Sequence, residues 1–122
     1  MTIQECYQAM GGDFEQLEKR FPSKAMVRRF IAKFLEDGTY AQLCQAMETG
    51  NREEAFRSAH TLKGVSANLG LDGLLASVSA LTDVLRVEAD AIPAGADALL
   101  EKVTEAYAQT VRAIHEYLDS AE

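Results

Sequence analysis

Residues 51–70 read NREEAFRSAHTLKGVSANLG, and their spacing decides the fold. Asn51 is a good helix N-cap, Glu54 stands three residues on in near capping-box register, and Gly70 is typical of the position just past a helix end. At about 100° per residue, a helix centred on Leu62 gathers Ala55, Ser58, Ala59, Val65, Ser66 and Leu69 within roughly 60° of it. His60 then falls about 160° away, near the middle of the solvent face, and Phe56 about 120° away, on its flank. Gly64 comes one turn after His60 on the same outer face, where glycine costs a helix about 1 kcal/mol relative to alanine. Ala67 continues the bare strip, and Arg57 and Lys63 stand three residues either side of His60. The spacing predicts an outward imidazole with small neighbours along the helix and cations beside it, open to a second protein carrying an anion. A solitary surface histidine most often does nothing, and a mid-helix glycine also suits close packing of another helix. Helical geometry leaves those readings beside the functional one.

Outward from this segment the chain reads as helix throughout. Downstream, Asp72 is placed to cap a helix with Leu74, Leu75, Val78, Leu81 and Leu85 inward. Residues 87–97, VEADAIPAGAD, read as a loop, and Pro93 is placed to open a last helix reaching about Leu118. Leu99, Leu100, Val103, Ala106, Tyr107, Thr110, Val111 and Ile114 form its apolar stripe. Upstream, Thr39 starts a helix ended by Gly50, with Leu43, Ala46 and Met47 inward. Ser23 caps another running from Lys24 to about Asp37, whose Met26, Val27, Phe30, Ile31, Phe34 and Leu35 recur every three or four residues. Thr2 and Asp13 are placed to cap two short helices before Pro22. No run alternates with the period of a strand. The expected fold is all-α: an antiparallel four-helix bundle within residues 24–118, with one or two short N-terminal helices over 1–22, in a single domain.

Charge narrows the function. The 122 residues carry 19 acids and 12 bases, net −7, which disfavours nonspecific nucleic-acid binding because that binding rests on phosphate neutralisation. Eight acids and two bases fall in residues 88–122, whereas residues 51–87 hold four of each. Arg52, Arg57, Lys63 and Arg86 are thus available to meet an anion in the balanced middle segment. Two cysteines, Cys6 and Cys44, without metal-ligand spacing read as reduced thiols packed as small hydrophobes. The N-terminus lacks the basic start and apolar run of a signal peptide, and no stretch is long and apolar enough for a membrane span, so the cytoplasm is the expected compartment. No phosphate-binding glycine loop is present. Glu53 and Glu54 suit the positive end of a helix dipole, Met10, Met26 and Met47 suit a core, and His115 has no motif around it.

The run Ala59-His60-Thr61-Leu62-Lys63-Gly64, followed by Asn68-Leu69-Gly70, closely resembles the signature of histidine-containing phosphotransfer (HPt) domains: A-H-x-L-K-G, five variable residues, then an apolar residue and Gly. The resemblance covers roughly residues 24–118. It implies a stand-alone, monomeric phosphorelay intermediate in two-component signal transduction. His60 is the implied phosphoacceptor, exchanging a phosphoryl group with the phospho-aspartate of a response-regulator receiver domain, downstream of a hybrid sensor histidine kinase. The imidazole attacks through Nε2 in its neutral form, the form available to the one side chain that changes charge near neutral pH. The resemblance implies that the chain is not an enzyme by itself and has no cofactor or metal of its own, since the receiver supplies Mg²⁺ and most of the catalytic groups. Lys63 is implied to offset phosphoryl charge, with Arg57 alongside, and Gly64 to admit the receiver. Phe56 and Ala67 belong to the expected docking patch, with Ile3 and Tyr7 of the first helix at its edge. Many family members hold the imidazole with a polar residue, often glutamine, on the next helix. Thr82 takes that position here with a shorter side chain, and Arg86 stands one turn later where some members carry a cation. Both are candidates for support, Thr82 the weaker. The alternative function is a helical adaptor or inhibitor that binds a receiver or kinase without turning over phosphate, which would not require His60. A metal-bundle enzyme lacks its Glu-x-x-His pairs.

Overall fold

The computed structural model describes residues 1–120. Seven helices and no strand occur among them: α1 (Ile3–Ala9), α2 (Phe14–Glu18), α3 (Lys24–Phe34), α4 (Thr39–Thr49), α5 (Arg52–Leu69), α6 (Asp72–Leu85) and α7 (Ala96–Asp119). Short polar side chains start four of them. Thr2 and Glu5 form a reciprocal capping box on α1, while Asp13, Ser23 and Asn51 each accept a backbone N–H of the first turn of α2, α3 and α5. Gly50 and Gly70 end α4 and α5, Gly70 in the left-handed region at φ 66°.

Connections of two residues follow α4 and α5, so α4, α5 and α6 run antiparallel, and residues 86–95 carry the chain over to α7. These four helices form the bundle. Leu43, Met47, Ala55, Leu62, Leu74, Val78, Leu81, Val103 and Ile114 are buried between them. Tyr40 closes the bundle from α4 to α7: its ring stacks on Tyr107 at 4.0 Å between centroids and its hydroxyl meets the Thr104 hydroxyl at 2.8 Å. The bundle therefore begins at Thr39, and α3, expected inside it, lies on its outside against α5 and α7. There Phe34 packs on Tyr107 and the Arg28 guanidinium lies over the Tyr117 ring.

Three boundaries differ from expectation. The residue before α6 is Leu71, with no side-chain cap, and Asp72 is already the first helical residue. Helix α7 starts at Ala96 after Gly95, three residues beyond Pro93. Helix α3 stops at Phe34, because Glu36 and Asp37 bond carbonyls only three residues back, the tighter geometry in which helices fade. The short helices α1 and α2 cover one end of the bundle. Burying Ile3, Cys6 and Tyr7 ties α1 to α7, with the Tyr7 hydroxyl donating to the Leu69 carbonyl at 2.8 Å and the Cys6 thiol facing the Ala113 carbonyl. The turn after α1 meets the start of α6 so closely that a Cβ at Gly73 would lie 2.8 Å from the Met10 carbonyl oxygen. Both cysteines are free.

Candidate functional site

Helix α5 buries one stripe and leaves the other open. Ala55, Ser58, Ala59, Leu62, Ser66 and Leu69 are buried and Val65 is half-buried, which reproduces the face centred on Leu62. His60 is exposed on the opposite side. A Cβ at Gly64 would meet nothing within 4 Å, so the fold does not require glycine there. Its effect is to lower the surface one turn beyond the imidazole. Thr61 is exposed, Ala67 half-buried.

One side chain lies on His60, and a cation lies on that side chain in turn. The Phe56 ring lies one turn before it, centroids 5.9 Å apart and planes 23° from parallel. The Arg86 guanidinium, from the end of α6, stands 5.7 Å from the Phe56 centroid. Arg86 also approaches Asp83 at 4.0 Å, a distance at which the pair is weak and exposed. Lys63 is half-buried and makes no ion pair among the described residues.

Several expected contributors are turned to other work. Thr82 is fully buried, and its hydroxyl donates to the Val78 carbonyl at 2.7 Å inside the bundle. It does not hold the imidazole, because position 82 shares the inward face of α6 with Val78, one turn earlier. Arg57 is paired at 2.7 Å with both Glu53 and Glu54, so its charge is compensated locally. Those two acids thus serve a cation on their own helix as well as its N-terminal turn. Arg52 is not open to an anion: it donates to the carbonyls of Leu85 and Ala89, closing off the end of α6 and the start of the following loop. Ile3 and Tyr7 sit in the core and offer no docking edge. His115 is exposed on α7.

One feature was not read from the sequence. An apolar groove of about 680 Å³ runs between α3 and the second half of α5, lined by Phe21, Phe30, Phe34, Val65 and Leu69, with Lys33 and Asn68 among its polar members. Phe30 is 39% exposed and packs on Phe21 at 5.7 Å between centroids. Phe30, expected on the apolar stripe of α3, instead stands at the edge of the Val27–Ile31–Phe34 face that reaches the core and is left for the groove. Val65 and Asn68 put the near end of the groove about 8–12 Å along α5 from His60. Among the described residues no three histidine, cysteine or acidic side chains cluster to hold a metal ion, and no helix is long and apolar enough to cross a membrane.

The Hpt domain family matches residues 25–120, nearly all of α3 and the whole bundle, and the chain belongs to that family. No curated protein and no solved structure matches the chain. Membership implies a histidine phosphotransfer role: Hpt domains are phosphocarriers that act with receiver domains and kinases.

Proposed function

We propose that this protein is a phosphorelay intermediate in which His60 takes a phosphoryl group from the phospho-aspartate of one receiver domain and passes it to another. The observation that carries this reading is the exposed His60 imidazole at mid-helix, with open space over Gly64 beside it. In the forward step Nε2 forms a bond to phosphorus as the bond from phosphorus to the aspartyl oxygen breaks. The aspartate carboxylate is returned, and the imidazole proton passes to solvent. The reverse step uses the same atoms.

Such a transfer depends on alignment and charge compensation more than on elaborate covalent chemistry. The receiver supplies Mg²⁺ and its own catalytic groups. This chain supplies the nucleophile, a cation in Lys63 three residues away, and a low surface over Gly64 and Ala67 that lets the receiver's phosphorylated end come down on the helix. The groove of Phe21, Phe30 and Val65 gives the rest of the receiver's contact surface an apolar seat. Arg57 contributes less, because Glu53 and Glu54 neutralise it.

The test is transfer from a panel of purified receiver domains charged with acetyl phosphate. The reading predicts an acid-labile, base-stable label on the wild-type protein. Receivers that bind the wild type and His60→Gln equally, without labelling either, would point instead to an adaptor.

A further inference from the structure

The transfer chemistry itself does not call for an aromatic ring beside the acceptor, yet His60 has one. An exposed side chain on a helix has more than one staggered orientation open to it. The Phe56 ring is half-buried and so anchored by the body of the protein, and it lies nearly parallel to the imidazole at a centroid separation of 5.9 Å. That separation falls within the range of attractive offset stacking. The other end of the array is a cation. The Arg86 guanidinium stands 5.7 Å from the Phe56 centroid, within reach of the ring's negative face. Arg86 is in turn set in place through the backbone, since Arg52 donates to the carbonyls of Leu85 before it and Ala89 after it. Thr82, on the neighbouring helix, bonds Val78 and leaves the imidazole to this array.

The geometry points to Phe56 as a positioning residue: backed by Arg86, its ring holds the His60 imidazole in one orientation for phosphoryl transfer. Stacking occupies the imidazole face, whereas the nitrogen lone pair that attacks phosphorus lies in the ring plane, at its edge. The contact therefore fixes the nucleophile without covering it. The inference rests on His60 being the acceptor.

The experiment uses the full chain as wild type, Phe56→Leu, Phe56→Tyr and Arg86→Gln, with two measurements. The first is the chemical shift of the His60 ring protons, which reports an aromatic ring stacked on the imidazole. The second is the rate of reaction with phosphoramidate, a donor too small to use a docking surface. The imidazole nitrogen forms a bond to phosphorus as the donor's own P–N bond breaks, and ammonia leaves, taking up the proton that the imidazolium sheds. The expected result is that Phe56→Leu removes the ring-induced shift and slows the reaction about two- to tenfold, the range set by the strength of an aromatic pair. Phe56→Tyr restores both, and Arg86→Gln, an exposed change that does not threaten folding, gives a smaller change in the same direction. Unchanged His60 shifts or a wild-type rate in Phe56→Leu would overturn the inference, as would a Phe56→Tyr protein as slow as Phe56→Leu. The expected pattern with phosphoramidate, but no exchange with any charged receiver, would uphold the positioning role and overturn the relay.

Discussion

On its inner side α5 presents Ala55, Ser58, Ala59, Leu62, Ser66 and Leu69, all buried, while on its outer side it presents Phe56, His60, Lys63 and Gly64 to solvent or its margin. The inner residues are mostly small, which lets α4 and α6 close on either side, and the one fully buried polar member, Ser66, satisfies its hydroxyl on the Leu62 carbonyl at 2.8 Å. Each of those identities has a reason in packing. Gly64 and His60 on the outer side have no such reason: no neighbour crowds Gly64, and the exposed His60 lies against Phe56, the outer residue that does pack on the core. A helix gives up about 1 kcal/mol at an uncrowded glycine and gains nothing in the fold for it, which supports the proposed approach of a receiver from outside.

Changing the inner face should damage the fold and leave the chemistry of the folded molecules alone. Leu62→Ala is expected to lower stability by about 2–5 kcal/mol in a denaturant titration, with the surviving folded fraction still accepting phosphate. Gly73→Ala tests the seam between α1 and α6. Its Cβ would press to 2.8 Å on the Met10 carbonyl oxygen, and a loss of about 1–3 kcal/mol is expected.

Cys6 offers a pH probe of the same buried interior. Burial, with Glu116 adding to it, pushes its thiol up to about 11 from an ordinary value near 9. Below pH 9 the folded and unfolded chains both carry the thiol proton, and stability is unaffected by this group. Between pH 9 and 11 the unfolded chain sheds the proton while the folded chain keeps it, so stability falls as pH rises. Cys6→Ala should flatten the alkaline limb of a stability–pH curve, and an unchanged slope would count against the burial of α1. The smallest effect is at Gly64. Gly64→Ala is expected to raise stability by about 0.5–1 kcal/mol while slowing exchange with a charged receiver and sparing the reaction with phosphoramidate. That opposition of signs is what separates the two faces.

Much of this could be read from the chain because a helix's own periodicity reports its own faces. The phase of α5 around Leu62, its Asn51 cap and its Gly70 end were all legible, as was the outward His60. What periodicity does not report is which neighbour a face meets. Thr82 is a candidate only through the family resemblance, which matches it to a polar residue on the next helix, although its place one turn after Val78 already puts it on the buried side of α6. Ile3 and Tyr7, four apart, made the inner face of α1 rather than an edge for a partner, and the Tyr7 hydroxyl was hidden by finding the Leu69 carbonyl. Arg52 and Arg57 looked alike as free cations. Only the fold brings the end of α6 to Arg52, whereas the partners of Arg57, at positions 53 and 54, were local and could have been read. The groove at Phe21 and Phe30 depends on how α3 leans on α5, which no local pattern specifies.

The chain has two histidines, and that makes the central claim directly testable. Wild type, His60→Gln and His115→Gln would be exposed to a receiver that labels the wild type, and the acid-labile label counted on each. Both histidines are exposed, so neither change should disturb folding. The account predicts full labelling of His115→Gln and none of His60→Gln. Label that persists on His60→Gln, or vanishes from His115→Gln, would contradict it.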